Sequence, residues 1–217
     1  MIGILSAMAI PSFLRETRDR RAYDDAGKIL ELVRNAKTRA RGRGAATLVT
    51  FDVSAGNGKY MMYEAVDANA DNVGNARTPH STCSNAAADA ITLQGANPVA
   101  GTTYWNFIDG VDMNSALETQ YAITSAVTVT NWDANNALST TTPKQYALCI
   151  TPGGRMFGFA GAFNTLNFTA ASAVVGTVRV DITRNGLDFS GVEGIARSVV
   201  IPTSGNARLI SAAPPAH

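Results

Sequence analysis

The sequence predicts an α+β fold: a long N-terminal α-helix packed on an antiparallel β-sheet head built from hairpins. Three observations predict it. Helical periodicity fills the first forty-odd residues and ends at glycines. Beyond it come strand-length alternating runs separated by turn residues. Charge divides the chain at the same place: residues 1–43 hold ten Lys or Arg against five acids, net +5, and the rest hold eight against twelve, net −4. Residues 1–44 are therefore read as the helix (apolar 1–14, amphipathic 15–42) and 45–217 as the head. With 217 residues, 46% apolar and 16% charged, the chain can bury a sizeable core and is too apolar for a disordered one. The charge split argues against a uniformly basic nucleic-acid binder.

The opening segment, Met1 to Leu14, contains no charged side chain. At 1.5 Å per residue, fourteen helical residues reach about 21 Å, short of the roughly 30 Å hydrocarbon core of a bilayer. Taken alone, it does not span a membrane. A secretory signal cut near Ala7-Met8-Ala9 is one reading, although the basic n-region is absent and the segment runs straight into an Arg-rich helical pattern. A buried core helix is another. From Arg15 to Arg41 the pattern is amphipathic, with a stripe of Ala22, Ala26, Ile29, Leu30, Val33, Ala36 and Ala40. Ile29, Leu30 and Val33 are expected on the head, with Arg and Asp facing outwards. Gly42 and Gly44 end the helix, and Lys37, Arg39, Arg41 and Arg43 suit the negative end of its dipole. One helix of about forty residues follows, kinked near Pro11, against a mean of roughly 11–12.

In the head, Thr47–Val53 alternates, Asn57-Gly58 is a hairpin signal, and Tyr60–Val66 returns as the partner strand. Tyr121–Val129 alternates as well. Further hairpins are read at Gln145–Ile150 with Met156–Phe159, at Val178–Ile182 with Arg184–Leu187, and at Val199–Pro202 with Arg208–Ile210. Strands without helices between them imply antiparallel sheets. Residues 67–90 are polar and read as a surface loop, and about 67–145 as a long insertion of loops and some strand. Tyr104, Trp105, Phe107 and Trp132 within it form either local core or an exposed contact patch.

Cys83 and Cys149 have no CxxC spacing and no adjacent histidine, which argues against zinc. In an exported protein they form a disulfide; in a cytoplasmic one they are two buried thiols. A bridge would tie the 67–90 loop to the sheet. No catalytic residue is assigned. His80 and His217 lie in no nucleophile motif, and GxSxG, P-loop and HExxH patterns are absent. Asp109 with Asp112 reads as a solvated or capping pair. Asp67-Ala-Asn69-Ala-Asp71 has half the alternation of a calcium loop, but Asn72 replaces its glycine and Thr78 its bidentate glutamate, so no metal or cofactor is expected. Lys37, Arg39, Arg41 and Arg43 could touch nucleic-acid phosphates. With few aromatics beside them for base stacking, a solvated, dipole-compensating face is preferred.

The run Ile2-Gly3-Ile4-Leu5-Ser6-Ala7-Met8-Ala9-Ile10-Pro11-Ser12-Phe13 resembles the second half of the apolar N-terminal helix of type IV pilins and type II secretion pseudopilins, where a proline, a small polar residue and an apolar one close the block. Leu30–Ala40, then Arg43-Gly44 and Thr47-Leu48-Val49, is similar to the GspH/FimT group of minor pilins and pseudopilins. The resemblance implies a prepilin peptidase site and a glutamate, neither of which falls on a residue of this sequence. It also implies a structural role without enzymatic activity. That role is a minor pilin near the tip of a type IV pilus or priming it, with a type II secretion pseudopilin and a DNA-binding uptake pilin as alternatives. Ile2, Ile4, Leu5, Met8, Ile10, Pro11, Phe13 and Leu14 would pack against other pilins. The implied partners are those pilins, the inner membrane of a Gram-negative bacterium before assembly, and a tip adhesin or surface outside the cell.

Overall fold

In a computed structural model, described over residues 2–55, 57–68, 77–83, 103–114, 123–132, 138–163, 172–173, 176–185 and 192–212, one N-terminal helix packs on two antiparallel sheets. Helix α1, Ile2–Arg43, runs unbroken through Pro11 for 42 residues, about 63 Å at 1.5 Å per residue. It stops at Gly44, whose φ of 68° and N–H to the Ala40 carbonyl (3.1 Å) make a left-handed C-terminal cap.

Among the described residues twelve strands follow. They are β1 (Thr47–Asp52), β2 (Lys59–Ala68), β3 (Arg77–Pro79), β4 (Thr103–Asp112), β5 (Ile123–Trp132), β6 (Leu138–Thr141), β7 (Gln145–Ile150), β8 (Met156–Ala160), β9 (Ser172–Ala173), β10 (Thr177–Asn185), β11 (Val192–Pro202) and β12 (Arg208–Ala212). A seven-stranded sheet runs β3-β2-β1-β7-β8-β9, with β4 also on β2, and a five-stranded sheet runs β12-β11-β10-β5-β6.

The β1–β2, β7–β8 and β11–β12 hairpins lie where alternation places them. The first closes less tightly than Asn57-Gly58 suggests, because Asp52↔Lys59 is the last pair. Gly58, at φ 106°, is still required: a Cβ there would meet Ser125 Oγ at 2.4 Å and the Tyr60 hydroxyl at 2.6 Å. The expected turn after Ile182 is not observed. Strand β10 continues to Asn185 past a register shift between Ile182 and Arg184, and its partner is β11. Nor is 67–145 an appendage of loops. Strand β4 pairs along nearly all of β2, and β5 sits inside the second sheet between β10 and β6. A bulge opposite Met62 and Tyr63 explains why β4 hides from a period-two reading. Trp105 belongs to one face and Ile108 to the other, so the alternation changes phase mid-strand.

One core joins the helix to both sheets. Ala22, Ala26, Ile29, Leu32, Val33, Ala36 and Ala40 of α1 meet Val49, Phe51, Tyr60 and Met62 of the first sheet and Val127, Val180, Val199 and Ile201 of the second. Leu30 is only partly buried, and Leu32 takes the place expected for it. One acid departs from the outward rule: Asp25 is 1% exposed within the helix stripe, where Lys28 reaches back to its Oδ1 at 2.8 Å. The opposite face of the seven-stranded sheet carries a second cluster, Ala46, Leu48, Tyr63, Ala65, Trp105, Ala147 and the cysteines. Strands β1 and β7 are thus buried on both faces, as their nearly unbroken runs of buried residues show.

Three tyrosines in these layers resist ionisation. Burial pushes the Tyr63 phenol up to about 12, against a weaker opposing pull from Thr50. Burial raises Tyr60 and Tyr146 further still. A phenol raised in the folded state stabilises the fold below the unfolded value, about 10, and that contribution is lost as pH climbs through the folded value. Stability is therefore expected to fall steeply above pH ~10. In an absorbance titration, three of the six tyrosines should ionise only together with loss of the near-UV circular dichroism. A smooth titration of all six with the fold intact would contradict the packing.

Candidate functional site: the helix and its clamp on the head

The head grips α1 along one stripe and at both ends of that stripe. At the lower end, Asp19 pairs with Arg184 of β10 at 3.0 Å, and Gly194 of β11 leaves room for the contact, with φ 79° and its missing Cβ only 2.5 Å from Asp19 Oδ1. One turn on, the Arg197 guanidinium lies 5.4 Å from the centre of the half-exposed Tyr23 ring. At the upper end, Glu64 of β2 is 1% exposed and receives Arg39 Nε on Oε2 at 2.5 Å and Arg43 Nε on Oε1 at 2.7 Å. Beside it in register, Thr47 donates its hydroxyl to the Ala36 carbonyl at 2.8 Å. Lys37 donates to the Ser204 carbonyl (2.7 Å) and Asn206 Oδ1 (2.6 Å), and Arg34 to the Ala207 carbonyl (3.1 Å), fastening the helix to the β11–β12 turn.

The basic run proposed for phosphate contact therefore divides. Arg39 and Arg43 spend their charge on Glu64, and Lys37 spends its donors on the β11–β12 turn. Desolvation first, and then the charge of Arg41, lower the Lys37 ammonium below the usual lysine value. Arg41 is exposed beside the Gly153-Gly154 turn. Helical spacing was legible in the sequence; the acid that neutralises it, twenty-five residues away on a strand, was not.

Cys83 and Cys149 form a disulfide, S–S 2.08 Å, across 66 residues. It fastens the segment after β3 over the second cluster, where the His80 carbonyl also accepts the Ala46 N–H at 2.7 Å. His80 Nε2 lies 2.7 Å from Thr82 Oγ1. Asp109 and Asp112 each accept a nearby backbone N–H, from Gly110 and Asn114. An open cleft of ≈ 470 Å³ is lined by Ser54, Pro143, Lys144, Gln145 and Ala160–Ala162. With Lys144 its one charged group, it offers a contact surface rather than proton-transfer chemistry. Among the described residues no cluster of three or more metal-ligating side chains occurs. Asn69, Asp71 and His217 lie outside the described residues.

Ile2, Ile4, Leu5, Met8, Ile10, Pro11, Phe13 and Leu14 all fall in the first four turns of α1. Among the described residues no helix is long and apolar enough to cross a membrane. Searches against protein-family models, curated proteins and solved structures found no match.

Proposed function

We propose that this chain is a filament-building subunit of the pilin type, a minor pilin, and not an enzyme. One observation carries the reading: the helix is much longer than the stretch its own head buries. The helix side chains of the main core run from Ala22 to Ala40, about 27 Å. A head of this size is about 40 Å across by the radius-of-gyration rule, against about 63 Å of helix. The twenty residues before Ala22 include the uncharged run. Each large apolar side chain there gains about 1.5–3 kcal/mol on leaving water, and packing against copies of the same helix supplies that burial. Before assembly the inner membrane would hold the segment; afterwards the extracellular pilus would, with the head presented to neighbours, a tip adhesin or a surface. A pseudopilin of type II secretion would use the same geometry.

The test is hydrodynamic. Full-length protein is expected to form large assemblies or to require detergent, whereas Leu5→Lys with Ile10→Lys is expected to give a monomer of unchanged melting temperature. A wild-type chain that is monomeric without detergent, with residues 2–14 resistant to protease, would overturn the reading.

A further inference from the structure

The four arginines between the uncharged run and the first core residue take no part in the clamp at the upper end of the helix. Arg15, Arg18, Arg20 and Arg21 occupy the seven residues after Leu14, and the core begins at Ala22. At about 100° per residue their positions spread around the helix, leaving no gap wider than about 140°. The two acids among them do not cancel this charge. Asp19 is committed to Arg184, itself a cation, and Glu16 points to solvent. Arg20 is exposed, and among the described residues it has no ion-pair partner; Arg18 is half-buried. The step from Arg15 to Arg20 is about 7.5 Å along the axis. The headgroup layer on each side of a bilayer has about the same thickness, since 40–45 Å of membrane encloses a core of about 30 Å.

We propose that Arg15, Arg18, Arg20 and Arg21 form a collar that binds the phosphates of anionic lipid headgroups while the uncharged run lies in the bilayer. The inference rests on the membrane-held stage of the reading above and adds a lipid preference to it. Guanidinium groups suit phosphate because they offer paired N–H donors in a fixed plane. A basic residue at an anionic membrane surface is worth about fivefold in binding. The collar also seats the head directly on the membrane surface, because the first core residue follows Arg21 without a linker.

The experiment is vesicle flotation of the full chain, with vesicles of phosphatidylcholine alone and with a third of the lipid replaced by phosphatidylglycerol. Binding is expected to rise at least tenfold with the anionic lipid and to lose that gain at high salt. Replacing Arg18, Arg20 and Arg21 together by glutamine should remove the gain and leave binding to the neutral vesicles. Arg20→Gln alone, at an exposed site that the fold does not use, should reduce the gain about fivefold. Equal binding to both vesicles would overturn the collar and leave the buried-helix reading intact. Binding to neither would overturn both. A full anionic gain in Arg20→Gln would overturn the collar whatever the triple variant does.

Discussion

Replacing Arg39 and Arg43 together by methionine is expected to lower the unfolding free energy by about 3–5 kcal/mol, the cost of leaving a buried charge without its partner. Glu64 is the reason. Its side chain is 2% exposed while those of Arg39 and Arg43 are 32% and 53% exposed, so only the acid lacks access to water once the pair is broken. Glu64→Gln is the control: both arginines can turn to solvent, and the loss should stay near 1–2 kcal/mol. Urea denaturation of the three proteins decides the matter. The ranking is the informative result, since a Glu64→Gln variant weaker than the double arginine variant would mean that the carboxylate is not the dependent partner.

Removing the Cys83–Cys149 bridge, as Cys83→Ala with Cys149→Ala, is expected to cost about 4 kcal/mol. With 66 residues of separation, the chain-entropy relation gives that figure for the constraint lost from the unfolded chain. The damage should also be local. Cys83 belongs to the segment laid over Leu48, Tyr63 and Trp105, so that apolar layer is the first to be wetted. Guanidinium denaturation measures the first effect, and limited proteolysis near residues 77–83 the second. A loss below about 1 kcal/mol would show that β3 and its backbone bonds hold the segment without the sulfurs.

Local pattern accounts for what could be read without coordinates. The helix stripe, the capping glycine and three hairpins all depend on residues within a few positions of one another, and all are recovered in the structure. Strand β4 escaped because its bulge switches the face of its side chains midway. Asp25 escaped because burial of an acid depends on the sheets packed above it, which periodicity along one helix does not encode. Glu64 looked like the polar position of an alternating strand, yet its side chain meets arginines that precede it by twenty-one and twenty-five residues. The disulfide was anticipated as one of two pairings of chemistry and compartment, and the second sheet only as unassembled strands. The apolar positions assigned to filament packing form part of the helix, and their partners remain the proposal made above.

Helix α1 contacts β11 and β12, the final strands of the described chain. The earliest residues synthesised therefore wait for the latest before their apolar stripe is covered. Strand β1 likewise waits about a hundred residues for β7. Such long separations slow folding and prolong the exposure of sticky surface. During biogenesis this polypeptide would depend on a holding chaperone or on the translocation machinery itself, and products of premature termination would be cleared rather than matured.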